Sequence, residues 1–431
     1  MQASPYLRQH PQRVALHNEI HARPPEALTA PMALSHVVMA CDASQREASR
    51  AHLAALLQGH HLPAPDAHSI HIRMDLGAFR LRWELHTEFV SWTFSRPLDP
   101  TGFGEREPGG ASDVVPQEWL ASLPGESLVS LHLWVLGAHT MGNDYSLVKH
   151  VLNEDTMVAS TIADGYGEVH TDFAIHADGF SRMVLLASSV APRRLGRLVQ
   201  QLMEIETYRM AALLGLPAAR EASAVLGFAE RELAGLAESI RMAARHDEPQ
   251  LLDRLTRLAG QVESQYAATH SRFSASAAYF ELVDKRIADI AESRLAGMQT
   301  IGEFMTRRLS PARSTCEWAT RRQDALSQRV SRMSNLLRTR VEIEQQQSSQ
   351  ALLGAMNHRQ GLQLQLQSTV EGLSVVAITY YIAGLVHYLA KAANHAGWPL
   401  SPETTAALAI PVVVCGVWFS LRRLHNKVMK A

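Results

Sequence analysis

Leu373–Ala390 reads LSVVAITYYIAGLVHYLA, and Ala406–Leu421 reads AALAIPVVVCGVWFSL. Neither stretch contains Asp, Glu, Lys or Arg. At a helical rise of about 1.5 Å per residue they span roughly 27 and 24 Å, close to the thickness of a bilayer's hydrocarbon core. A short polar connection separates them, so the two together read as a transmembrane hairpin over 373–421. Arg422, Arg423, Lys427 and Lys430 follow the second stretch, whereas the connection carries one cation, Lys391. Positive charge is retained on the cytoplasmic side. The tail (422–431) is therefore expected in the cytoplasm, and a hairpin returns the N-terminal bulk to that side. MQASPYLRQHPQR, at the start, has no apolar run resembling a signal peptide. The expected location is an inner membrane bordering the cytoplasm, with two spans and the lipid bilayer as partner.

Working back from the hairpin, no proline occurs from Ala312 to Ala390. That permits a stalk helix over 312–372 that continues into the first span, roughly 79 residues and 115 Å in all. Leu326, Val330, Met333, Leu337 and Val341 are spaced by three and four, as on a packing stripe. EQQQSSQ, Glu344–Gln350, has no apolar residue but is rich in helix formers, so the helix is expected to persist through it. Residues 193–310 are helical in pattern, with breaks expected near Pro217, Pro249 and Pro311. A long striped helix gains by packing on copies of itself, so a homo-oligomer is expected.

Residues 1–190 read as an α/β domain. Leu34–Ala40 is a strand candidate, and Ser44–Gln58 a helix with Ala48, Ala51, Ala55 and Leu56 as its apolar residues. Asp75-Leu76-Gly77 and Asp178-Gly179 mark hairpin turns. Around the first, Phe79, Leu81, Trp83 and Leu85 alternate with Arg80, Arg82 and Glu84, which is the period of a strand with one face in water. Val90, Trp92 and Phe94 continue the pattern, Pro97–Pro124 reads as loop, and Leu128–Leu136 is a further strand. The fold class is α+β: an α/β domain, a helical middle, a stalk and a membrane hairpin.

With 41 basic and 42 acidic residues the chain has no general attraction for nucleic acid. Cys41, Cys316 and Cys415 form no paired motif, so a disulfide framework or cysteine zinc site is not indicated. The densest polar cluster is LHNEIHARPP, Leu16–Pro25. Pro24 biases the preceding residue toward an extended conformation, which would place His17, Glu19, His21 and Arg23 on one side. His17, Glu19 and His21 could hold a divalent metal, and Arg23 a carboxylate or phosphate, but a lone His-x-Glu-x-His is a weak signal and a polar segment hydrogen-bonded against the domain surface is the favoured reading. Glu84, His86 and Glu88 share a strand face and are ligand-binding candidates, set against the reading that the face is simply solvated. His170, Asp172, His176 and Asp178 gather near the second hairpin turn. The apolar stretch at 373–390 contains Thr379, Tyr380, Tyr381 and His387 as its polar points. No phosphate loop and no nucleophile elbow is present, and no catalytic residue stands out.

HNEIHARP near the start, WELHTEFVSWTF, TDFAIHADGFSR, RTRVEIEQQQ and TVEGLSVVAITYYIAGLVHYLAK together resemble an uncharacterised domain-of-unknown-function family, family 3422, of bacterial membrane-anchored proteins. The resemblance runs over nearly the whole chain and implies no catalytic residues. The layout is also similar, more distantly, to that of CorA-type cation channels. Those carry Gly-Met-Asn after the first span, and this chain has Met141-Gly142-Asn143, in another order and far from the span. The expectation is a membrane-anchored, non-enzymatic scaffold or sensor, with a CorA-like channel and a metal-dependent enzyme as alternatives.

Overall fold

The computed structural model describes residues 10–14, 16–17, 24–99, 108–138, 145–244, 247–395, 397 and 399–428. Glu19, His21 and Arg23 lie outside them. The described residues form two compact units, one made of residues up to 241 together with 253–333, the other of 242–252 and 334–428.

The first unit is built on a mixed sheet. Its strands are β1 (Met32–Ala40), β2 (His71–Asp75), β3 (Arg80–Leu85), β4 (Phe89–Pro97), β5 (Glu126–Gly137), β6 (Val158–Ile162), β7 (Gly167–Thr171), β8 (Ser181–Ala187) and β9 (Ser293–Arg294). They lie in the order β2-β3-β4-β1-β5-β8-β7-β6-β9, antiparallel except for the β5–β8 pair. Both hairpins expected from the Asp-Gly turns are present, with Gly77 and Gly179 at φ of 81° and 84°, where a side chain would be strained. Missing from the sequence reading were β6, whose VASTI is short with two polar residues among five, and the two-residue β9, and the stretch read as loop at Pro97–Pro124 holds a short helix at Gln117–Ala121.

Helices cover both faces. On one lie α1 (Ala43–Gly59), the short α2 (Gln117–Ala121) and α3 (Ser146–Val151). Asp42 caps α1: its carboxylate accepts from the Gln45 amide while Gln45 returns a bond to the Asp42 amide. The buried face of α1 is Ser49, Leu53, Leu56 and Leu57. Of the four positions expected only Leu56 is inside, since Ala48, Ala51 and Ala55 are exposed. Small residues fit either environment, and the leucines decide the face. This core includes Trp83, Trp92, Trp134, Phe79 and Phe94.

The opposite face carries α4 (Pro192–Leu213), α6 (Glu248–Asp289) and the start of α7 (Ile301–His395), with α5 (Gly215–Met242) between α4 and α6 in sequence. Leu195, Leu198, Val199 and Leu202 of α4 pack with Leu34, Leu131, Leu133 and Leu185 of the sheet and with Phe280, Met305 and Leu309. Thr300 and Glu303 form a reciprocal cap at the start of α7, and the Ile301 amide donates to Ser160 Oγ of β6 at 3.0 Å. Pro217 and Pro249 sit in first turns, where proline costs no hydrogen bond. Pro311 does not break the chain, against expectation, and lies inside α7. Leu309 and Ala312 beside it are buried, so packing outweighs the one missing amide bond.

The second unit contains the rest of α7, which runs unbroken through EQQQSSQ, and α8 (Pro402–Val428). On the α7 stripe Leu326, Val330 and Leu337 are buried and Met333 and Val341 half-buried. Among the described residues, three helical stretches are long and apolar enough to cross a membrane by length and composition: Pro192–Met242, Ile301–Asn394 and Pro402–Ser420. A third of the apolar window in the first is buried. The windows in the other two are 11% and 0% buried.

Candidate functional site

Alternation along β3 and β4 sends Leu81, Trp83, Val90, Trp92 and Phe94 into the tryptophan-rich core. The opposite side chains are Arg82, Glu84, Ser91, Thr93 and Ser95, all buried. The expectation of a water-facing strand is therefore overturned: α4 lies over this polar face. A polar surface buried this way must satisfy its hydrogen bonds internally.

Most of it does. Arg82 Nη2 donates to Glu84 Oε1 at 2.6 Å, and Ser91 Oγ reaches Glu84 Oε2 at 3.4 Å. His36 of β1 bridges strand and helix, with Nδ1 2.8 Å from Thr93 Oγ1 and Nε2 3.1 Å from Thr207 Oγ1 of α4. Gln200 of α4 accepts from Arg82 at 3.4 Å and donates to Glu204 at 2.8 Å. Glu204 in turn accepts from Arg286 of α6. Farther along, Glu88 accepts from Arg272 of α6 at 2.5 and 2.6 Å. A chain of ionic and amide groups thus links the sheet to two helices.

Electrostatics follow from burial. Desolvation lowers His36 to about 4, so it is neutral at ordinary pH. Burial pushes the Glu84 carboxyl up, but the adjacent Arg82 charge and its hydrogen bond outweigh it and hold Glu84 below its ordinary value. Tyr208 is pushed up to about 12 by burial and by Glu204. The cavity among His36, Arg82, Glu84, His86 and Tyr208 is about 30 Å³, room for a water or two but not for a metabolite.

A second buried polar group lies on the other face. Ser35 Oγ is 2.9 Å from His132 Nδ1 and accepts from the Ser112 amide, and the His132 ring stacks on Phe180 at 3.9 Å between centroids. Desolvation again lowers this histidine to about 4.

The sequence candidates separate. Glu84 is in the network, His86 lines its cavity and stacks on Phe89, and Glu88 joins Arg272 instead. Asp172 and His176 meet at 2.9 Å, while Asp178 pairs with Arg182 at 3.1 Å. His17 is exposed, and its proposed co-ligands lie outside the described residues. Among the described residues no three His, Cys, Asp or Glu side chains stand as a metal site. In α7, Tyr380 and Tyr381 are exposed, His387 is half-buried and Thr379 is buried. His36, Gln200, Glu204, Thr207 and Arg286 were missed. Their one sequence signal is polar residues at positions 200, 204 and 207, spaced like a core face of α4.

Larger cavities among the described residues of the first unit include two. One of about 460 Å³ lies between α6 and α7, with Phe273, Phe280 and Cys316 among its lining residues. Burial pushes the Cys316 thiol up, which makes it a poor nucleophile. The other, about 450 Å³, includes Cys41, Glu88 and Arg272 in its lining.

The chain belongs to the family described as protein of unknown function (DUF3422), whose sequence profile it matches over residues 8–428. No curated protein and no solved structure was found to match it.

Proposed function

We propose that the protein is a membrane-anchored, non-enzymatic scaffold or sensor that works as a homo-oligomer with its sheet unit in the cytoplasm. The observation that carries this reading is the exposure of apolar surface on α7 and α8. Leu373, Val376, Leu385 and Leu389 are exposed, as are Leu408, Val412 and Phe419. Soluble monomers rarely leave so much contiguous apolar surface in water. A bilayer would cover it, and Arg422, Arg423, Lys427 and Lys430, which follow the apolar stretch of α8, favour a cytoplasmic tail. Association between copies is supported by Leu362, Leu366, Val370 and Leu373, spaced by four, four and three along α7 and all exposed in the single chain.

The test is extraction. Full-length protein is expected in the membrane pellet after alkaline washing, with a detergent-solubilised mass of at least two chains. Ile382→Arg combined with Val412→Arg is expected to reduce insertion, since arginine at a span's centre costs about 3 kcal/mol. Protein that stays in the supernatant without detergent sinks the membrane reading, and a detergent monomer sinks the oligomer.

A channel reading has one observation in its favour: α7 runs without a break from the sheet unit into the apolar stretch. A ring-shaped oligomer with cation flux in liposomes would place it first.

A further inference from the structure

Register sets Arg73 of β2 directly across from Arg82 of β3, at the edge of the sheet. Like charges facing each other across a strand pair destabilise it. Three carboxylates are near, and each has another partner. Asp75 accepts from Arg80 at 3.1 Å, Glu26 lies 3.5 Å from the same Arg80, and Glu84 holds Arg82 and Ser91. Arg73 is left over. Its Nε and Nη2 are buried without a hydrogen-bond acceptor, and so is Arg82 Nε. Arg73 as a whole is half-buried, but a guanidinium cannot shed its charge, so burying these N–H groups without acceptors is costly. Burial first, and the facing Arg82 second, hold Arg73 below its ordinary pKa, which reports the same strain.

The orphaned atoms have a shape. Nε and Nη2 form one edge of the guanidinium, the fork that takes two oxygens of an oxyanion side-on. Arg82 Nε adds a third donor from the facing strand. Three donors from two cations suit an anion with three free oxygens better than a carboxylate.

We propose that Arg73 and Arg82 form a binding site for a phosphate group at the β2–β3 edge of the sheet. The strap formed by residues 24–28 borders it. A cavity of about 20 Å³ lies beside Arg82, lined by Glu26, Arg80, Thr93, Ser95 and Gly196. Phosphate enters by displacing the strap, and the Glu26 carboxylate competes with it. The site stands on the sheet unit alone and does not depend on whether α7 and α8 enter a bilayer.

The experiment is calorimetric titration of the full-length protein in neutral detergent with inorganic phosphate, and with acetate at matched ionic strength. Phosphate is expected to bind and acetate to bind more weakly. Arg73→Gln is expected to weaken phosphate at least tenfold, since two charge-assisted bonds are lost. Glu26→Gln is expected to tighten it. Arg241→Gln, an exposed substitution on α5, should leave it unchanged. Circular dichroism of each variant checks folding. A second arm compares nanodiscs of phosphatidylcholine with and without phosphatidic acid. Arg73-dependent stabilisation by phosphatidic acid alone keeps the site and assigns the phosphate to a lipid headgroup. No response in either arm, or an equal response in Arg73→Gln, overturns the proposal.

Discussion

Replacing Gly196 by alanine is expected to destabilise the sheet unit, although alanine is the better helix former. Gly196 lies within α4, and a Cβ built there would sit 1.6 Å from the Glu26 carbonyl oxygen and 2.8 Å from its carbon. The strap at 24–28 must therefore retreat by well over an ångström. Leu28 is buried at 5% exposure, and its amide donates to the Pro192 carbonyl at 3.0 Å. Losing the burial costs about 2 kcal/mol and the hydrogen bond about 1 kcal/mol. Against this, Gly→Ala in a helix interior contributes about 1 kcal/mol of stabilisation. The net expectation is a loss of about 1–3 kcal/mol. Gly235 of α5 is the control, because nothing lies within 4 Å of its missing Cβ. Gly235→Ala is expected to stabilise by up to about 1 kcal/mol. Denaturant unfolding followed by tryptophan fluorescence reads both, since Trp83, Trp92, Trp119 and Trp134 all lie in or against the sheet. If Gly196→Ala stabilises as much as Gly235→Ala, the close strap contact is refuted.

Acid stability should carry the signature of His36 and His132. Both are lowered from 6.5 to about 4 in the folded state, so the unfolded chain binds protons first as pH falls. Their contribution is fully present above pH 6.5 and is lost between about 6.5 and 4, up to about 3 kcal/mol each. Unfolding measured across that window should flatten in His36→Gln and His132→Gln, and an unchanged slope would show that the imidazoles are not shielded. A double-mutant cycle between Arg82→Met and Arg286→Met tests the relay through Gln200 and Glu204. Coupling of about 0.5 kcal/mol or more is expected, and additivity within about 0.3 kcal/mol would mean that the two arginines act independently.

The parts of this fold that the sequence made legible are those set by short-range chemistry. Asp-Gly turns placed two hairpins, alternation placed β3 and β4, and uncharged length marked the apolar stretches of α7 and α8. Tertiary packing decided the rest. Nothing in RLRWEL says that α4 will lie over its polar side, so Arg82 and Glu84 looked solvated. Alanines at positions 48, 51 and 55 imitate an apolar face that the leucines actually supply. Pro311 is tolerated because its neighbours are in the core. The opposition of Arg73 and Arg82 depends on strand register, which the turn residues constrain but do not state.

The two sides of β3 and β4 place different demands on the helices that cover them. On the tryptophan side, close-packed rings resist displacement, because any gap forfeits contacts at once. On the other side α4 packs its leucines against the central strands, but over β3 and β4 it is joined by hydrogen bonds through His36, Arg82 and Gln200, next to water-sized cavities. Such bonds can be exchanged for bonds to water or to an anion at small net cost, whereas an aromatic contact has no comparable substitute. If the sheet unit responds to a ligand, the response belongs on the α4 side. Arg73 lies at that side's outer edge, and the relay from Arg82 through Gln200 and Glu204 to Arg286 runs inward from it.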